Sequence, residues 1–397
     1  MSTVLIEWLN LGLRWFHVVA GIAWIGASFY FIWLDLNLRE PPRWKKDQGI
    51  KGDLWAIHGG GIYEIGKYQL RPKKMPERLH WFKWEAYSTW LSGTLLLIAF
   101  YYVQARSYLV GPDSWVSTPE MAIVASIAFI VGGQLLYEML LRTALVRRGL
   151  WFAVVLVGVI ALASWLAQQL FSGRAAFLHV GALIATWMAG NVFWGIIPAQ
   201  KKFIAAVSDG REPDPAPAVF AKLRSTHNNY LTLPVIFCMI SNHYPFLYGS
   251  EYSWLLLLAI GVLLAWGRHF FNLKHQGIVR PGILVSSGLG LVLVAVVASW
   301  AASHSSMDED AVGTKMSATD IDVLIDQHCT NCHSPSPTQP GFQAPPAGLV
   351  ITDTDSLLTY RTKALPALHS HYMPLGNMTG MSDEQRSAMV HWLEQQE

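Results

Sequence analysis

Charge is what this sequence lacks. Only 14% of its 397 residues are Asp, Glu, Lys or Arg, against about 25% in a typical soluble protein, and that shortage excludes an ordinary water-soluble globule. Cysteine is scarcer still, with three in the chain. Cys238 sits in an apolar run and reads as a packing residue, so cysteine chemistry rests on Cys329 and Cys332. No nucleic-acid motif accompanies the basic residues, which lie in loops between apolar segments. No cleavable signal peptide is evident: Glu7 and Arg14 interrupt the N-terminus, and the apolar stretch that follows is long enough to span a bilayer.

Apolar residues supply 52% of the chain, with 18 tryptophans, the side chain that concentrates at bilayer interfaces. A crossing takes about 20 mostly apolar residues. About eight segments qualify: 8–34, 86–108, 119–141, 150–171, 175–198, 229–248, 252–271 and 282–302. The loop 35–85 carries 11 Lys/Arg, and 142–149, 199–225 and 268–281 are also basic, whereas 104–118 and the turn near 172 hold one each and 243–253 none. That alternation puts the basic loops in the cytoplasm and both ends of the chain outside. His269 and His275 fall in the basic loop 268–281, and Glu138 reads as a snorkelling carboxylate or a partner of Arg142.

The sign of the charge then changes. Residues 1–300 hold 25 Lys/Arg and 15 Asp/Glu, a net of +10; residues 301–397 hold 4 and 12, a net of −8. The shift marks a domain boundary. Residues 1–302 read as a transmembrane domain, 303–317 as a polar linker that permits motion, and 318–397 as a small all-α domain on the outer side. Ser382, with Gln385 three residues on, suits the start of a capped helix.

The small domain contains C-T-N-C-H at 329–333. C-x-x-C-H is the attachment pattern of c-type haem: Cys329 and Cys332 bond the vinyl groups and His333 becomes the proximal iron ligand. A zinc site is the competing reading, with His328, His369 and His371 as further ligands. Met373-Pro374 supplies a thioether for the opposite face of the iron, with Met378 and Met381 as rivals. This is the pattern of a class I cytochrome c.

Within the membrane domain, F16-H-V-V-A-G-I-A-W24 is echoed by L178-H-V-G-A-L-I-A-T-W187, and W84-E-A-Y-S-T89 by H227-N-N-Y-L-T232. Finding both echoes in order implies a 4+4 parallel repeat, its two units related by an axis along the membrane normal. Ionisable residues inside a membrane are costly and signal function. Paired across such an axis, His17 and His179 suit the two axial ligands of a haem b near the outer surface; the bland alternative is that each donates a hydrogen bond to a neighbouring helix. At the cytoplasmic edge, H58-G-G-G-I-Y, His80, Glu85 and H227-N-N-Y gather polar groups fit to hold a planar polar substrate or to move protons. Helix capping and interface anchoring explain the same residues one by one.

The stretches H58-G-G-G-I-Y, H227-N-N-Y-L-T-L-P, I240-S-N-H-Y and C329-T-N-C-H with M373-P-L-G-N together resemble the membrane-bound urate oxidases (urate hydroxylases) of bacteria, which fuse about eight spans to a C-terminal cytochrome c. The resemblance implies oxidation of urate, with water added at C5 to give 5-hydroxyisourate and electrons passed to the respiratory chain. Combined with the residues above, it implies substrate contacts at His227, Asn228, Glu85 and His58. Haem b would sit on His17 and His179, and haem c on Cys329, Cys332, His333 and Met373. An electron-transfer cytochrome anchored in the membrane without a substrate of its own, or a transporter with an appended cytochrome, would use many of the same features.

Overall fold

The computed structural model describes residues 3–69, 71–72, 75–111, 114–249, 252–309, 316–339, 342, 344–369 and 371–396. Long apolar stretches become long helices, because a helix satisfies every backbone polar group within its own segment. They are α1 (Thr3–Asn37), α2 (Trp84–Leu96), α3 (Pro119–Leu141), α4 (Gly149–Leu170), α5 (Gly173–Gly190), α6 (Ala216–Ser241), α7 (Ser253–His275) and α8 (Pro281–Glu309). A π-helical turn, Leu97–Tyr102, extends α2, and another, Asn191–Ile196, leads α5 onward through Ser208. Among the described residues six helices are long and apolar enough to cross a membrane: α1, α3, α4, α5, α7 and α8. The two that fall outside that group, α2 and α6, carry Glu85 and the H227-N-N-Y segment. Apolar side chains point outward along α8, where Leu289, Val292, Leu293 and Val296 are each more than half exposed, as a lipid-facing helix requires.

Helix α5 is the axis of the bundle. It packs on α2, α3, α4, α6 and α7, and 67% of its apolar window is buried, against 28% at most for any other apolar helix. Helix α1 packs on α2, α6 and α7 and stays near the surface, with 11% of its window buried. The reciprocal contacts α1–α6 and α5–α2 are those a duplicated unit would make, but the two units do not enclose their first helices equally.

Three sequence expectations change. Helix α6 starts at Ala216, so H227-N-N-Y lies inside a helix rather than ahead of one. Arg268, His269 and His275 belong to α7 rather than to a loop. The fold is not purely helical either: the loop after α1 forms an antiparallel hairpin of β1 (Ile50–His58) and β2 (Gly61–Tyr68). Its two-residue turn is Gly59-Gly60, both at positive φ, which glycine adopts at no steric cost and which matches the strand twist. The three glycines therefore serve a turn. Lys45, buried beneath the hairpin, pairs with Asp53 of β1 and Glu64 of β2.

The C-terminal module has its own core, in which Ile321, Ile325, Leu357, Met389 and Leu393 are almost fully buried. Its helices are α9 (Ala318–His328), α10 (Thr354–Thr359), α11 (Arg361–His369) and α12 (Asp383–Glu394). Capping boxes open α9 at Ser317, α10 at Asp353 and α12 at Ser382, each satisfying backbone N–H groups the helix leaves unpaired.

Replacing Lys45 by Ala leaves Asp53 and Glu64 facing each other without a cation. Limited proteolysis should then cut within residues 50–68 markedly faster than in the parent chain, with cleavage elsewhere unchanged; an identical digestion pattern counts against the anchoring role.

Candidate functional site

The polar groups of α6 sort by helical phase. Successive residues turn by about 100° on a helix of 3.6 residues per turn, so His227 and Asn228 face α3 and α5 while Asn229 and Tyr230 face α7. In the first network the Arg224 guanidinium donates to both Glu138 carboxylate oxygens at 2.7 Å and to Asn191 Oδ1 at 3.3 Å. Asn191 Nδ2 donates to Asn228 Oδ1 (2.8 Å) and to the Tyr137 hydroxyl (2.9 Å). Having accepted from Asn191, Tyr137 gives its own proton to His227 Nδ1 at 2.9 Å, which leaves the proton of a neutral His227 on Nε2. Trp187 stacks on Tyr137, and Phe152 stacks on His227. In the second network Arg268 donates to Asn229, Asn229 to Asn272, and Tyr230 bonds His269, with the Arg268 guanidinium 3.9 Å from the Phe29 ring centroid.

Glu138 is thus bound to Arg224, 86 positions along the chain, rather than to Arg142. A Cβ on Gly195 would overlap the Arg224 side chain, so the glycine in the π-helical turn of α5 is what admits the arginine. Sequence reasoning missed Gln134, Tyr137, Asn191 and Arg224. Their signal was polarity within apolar stretches, diluted because the partners lie on three different helices. Of the expected substrate residues, the structure brings His227 and Asn228 into this network. Among the described residues no hydrogen bond joins Glu85 or His58 to it. Glu85 heads α2 with Oε2 buried and unpartnered, while His58 is exposed beside the hairpin turn.

The two histidines of the echoed segments have unlike surroundings. His17 is half-buried, with Nδ1 2.9 Å from Ser92 Oγ and its ring against Gly93. His179 is fully buried, stacked on Phe171 at 4.2 Å, with Nε2 2.7 Å from Ser126 Oγ and Nδ1 2.7 Å from the Ala175 carbonyl. Both His179 nitrogens are engaged by protein, and its partner helix is α3 rather than α1. This arrangement is a hydrogen-bonded core histidine and does not fit an axial ligand of a haem b shared with His17, so no chemical step is routed through such a group.

The C-terminal module fits the covalent haem. A cleft is lined by Cys332, His333, Phe342, Pro346, Met373 and Met378. The buried His333 donates Nδ1–H to the Leu349 carbonyl at 2.9 Å, which fixes its tautomer and leaves Nε2 for iron, the arrangement metal-bound imidazoles favour. Burial pushes the Cys329 thiol up to about 12 and raises that of Cys332. Among the described residues no three His, Cys, Asp or Glu side chains gather at metal-binding distance. Tyr108, from the membrane domain, forms part of the cleft wall.

Comparison with family models matches residues 3–300 to the urate oxidase N-terminal family. The chain belongs to that family. Comparisons with curated proteins and with solved structures gave no match. The region matched to the urate oxidase N-terminal family takes in both polar networks, His17 and His179, and ends before the C-terminal module.

Glu138→Gln should strip Arg224 of its countercharge. Breaking a buried pair from one side costs about 3–5 kcal/mol, read as a lowered unfolding midpoint in detergent. The double replacement with Arg224→Gln should lose less than the sum of the two singles; strict additivity argues against the pairing. Ser126→Ala and His179→Ala should lower thermal stability and leave the haem spectrum of the purified chain unchanged. Loss of a b-type signal in His179→Ala would instead show that the serine bond gives way to iron.

Proposed function

We propose that this chain is a membrane-bound oxidase of urate that passes its electrons to a covalently held c-type haem and on to a respiratory-chain acceptor. The family match over residues 3–300 carries the substrate assignment. The electron exit is supported by His333 and Cys332 lining one cleft, with the His333 tautomer set for iron. In the reaction, urate and water give 5-hydroxyisourate, two protons and two electrons, as a bond forms between C5 and the water oxygen. The electrons leave singly. The alternation of basic loops supports a reading with the opposite end of the bundle at the cytoplasmic face of a bacterial inner membrane and the module in the periplasm.

When bound, the haem supplies a one-electron acceptor whose potential a methionine opposite the histidine raises. Cys329, Cys332 and His333 would hold it, with a methionine as a further ligand. Met373 is the better opposite ligand. Met378 also lines the cleft, but its sulfur accepts the Ser107 hydroxyl of the membrane domain at 3.2 Å, and Met381 lies in the module's core. The buried, unpartnered Glu85 Oε2 favours a proton-accepting role at the end of the bundle that carries His227 and Asn228. His58, beside the hairpin turn, stands outside that network.

Anaerobic mixing of urate with the purified chain should reduce the haem, and Cys332→Ala should lose both covalent haem and urate-dependent reduction of an added acceptor. A haem that urate leaves oxidised sinks the oxidase reading and leaves the plain electron-transfer module. Urate flux into proteoliposomes without any haem reduction would favour the transporter.

A further inference from the structure

Where the module meets the bundle, a positive charge is buried without a countercharge. Arg174, in the first turn of α5, donates from Nη1 to the Tyr372 hydroxyl at 3.0 Å. Its guanidinium lies 5.6 Å from the Tyr108 ring and 5.9 Å from the Tyr372 ring. Tyr101, Tyr108, Tyr248 and Tyr372 all stand within range of its charge, and Arg14 adds a second cation. Among the described residues no carboxylate pairs with Arg174. Its Nε is buried with no hydrogen-bond partner, and so is the hydroxyl of Tyr248, a residue only 5% exposed.

A charged N–H buried without an acceptor, as at Arg174 Nε, is costly, and native structures leave few such groups unexplained. Two unpaired donors, one charged, within a ring of four tyrosines describe the complement of an anion with a flat face. The guanidinium fork binds anionic oxygens and aromatic rings stack on planar ligands. Tyr108 and Tyr372 also line the cleft of His333 and Cys332, so an anion on Arg174 sits at the edge of that cleft. The network of His227 and Asn228 is far from it: from Arg174 to Asn191 is 17 residues, or about 25 Å at 1.5 Å per residue.

We propose that Arg174 and Tyr248 form a binding site for a planar or carboxylate anion at the seam between bundle and module. Two sources share that chemistry. One is the free purine anion, which rests on the urate reading above and would place the substrate beside the electron acceptor. The other is a propionate of the covalent haem.

The test uses the full-length chain with its covalent haem, comparing the parent with Arg174→Gln and Tyr248→Phe, which removes a single atom. The readouts are calorimetric binding of 8-azaxanthine, a planar anion that is not turned over, the KM for urate, and the haem midpoint potential. Loss of a hydrogen bond to a charged group costs about 1.5–3 kcal/mol, so either variant should weaken azaxanthine binding and raise KM by about tenfold or more, leaving haem content unchanged, if the purine is the ligand. A displaced midpoint potential with binding and KM unchanged assigns the site to the propionate. If no readout moves in either variant, the anion site is refuted. If Glu85→Gln raises KM and Arg174→Gln moves neither KM nor potential, the substrate binds at the other end and the proposal is wrong. Failure of urate to reduce the haem of the parent chain overturns the functional reading by itself, and the potential then decides the anion site independently.

Discussion

The pairing of Arg224 with Glu138 constrains everything around it. An arginine in an apolar bundle is tolerable only if its charge is met. That demand draws α3 and α6 against the same side of α5, requires Asn191 to bridge them, and requires glycine at 195 so that the guanidinium fits. Once Asn191 is fixed, its amide orients Asn228 and Tyr137, and Tyr137 orients His227. This polar network is therefore held together through the Arg224–Glu138 pair, and Arg224, Asn228 and Tyr137 each contact α5 or its π-helical extension.

The π-helical turn Asn191–Ile196 belongs to the same logic. A helix that gains a residue in one turn shifts the phase of all that follows. Upstream of the turn, α5 presents His179 and Trp187 to α3; within it, Asn191 reaches α3 and α6 together. The apolar packing of Ala86 against Val192 and Ile197 keeps the start of α2 beside this turn, which puts Glu85 at the same end of the bundle.

How much of this was legible in the sequence depended on whether the signal was local. Long apolar runs announced the helices, and Ser382 with Gln385 announced a capping box that is present. The start of α6 was not legible, because Arg224 and His227 lower its hydropathy and their partners lie on α3 and the extension of α5. Glu138 was given the wrong partner on the same account: helical spacing offered Arg142, and the true cation lies 86 positions away. The echo of His17 at His179 was real in sequence but did not extend to surroundings, since similar segments occupy a surface helix in one half and the central helix in the other. Gly59 and Gly60 were read as a ligand cradle, where a two-residue hairpin turn needs the same glycines.

The position of the module ties these elements to function. Gly376 fits so closely on the membrane domain that a Cβ there would lie 2.9 Å from Ser107 Cα, and Ser107 holds Met378 while Arg174 holds Tyr372. Contact at three separate points sets the orientation of the cleft and not merely its distance. At the seam, Tyr108 and Tyr372 border both the cleft and Arg174. The His227 and Asn228 network lies about 25 Å down α5 from that seam. The network around Arg224 holds the bundle that presents this seam.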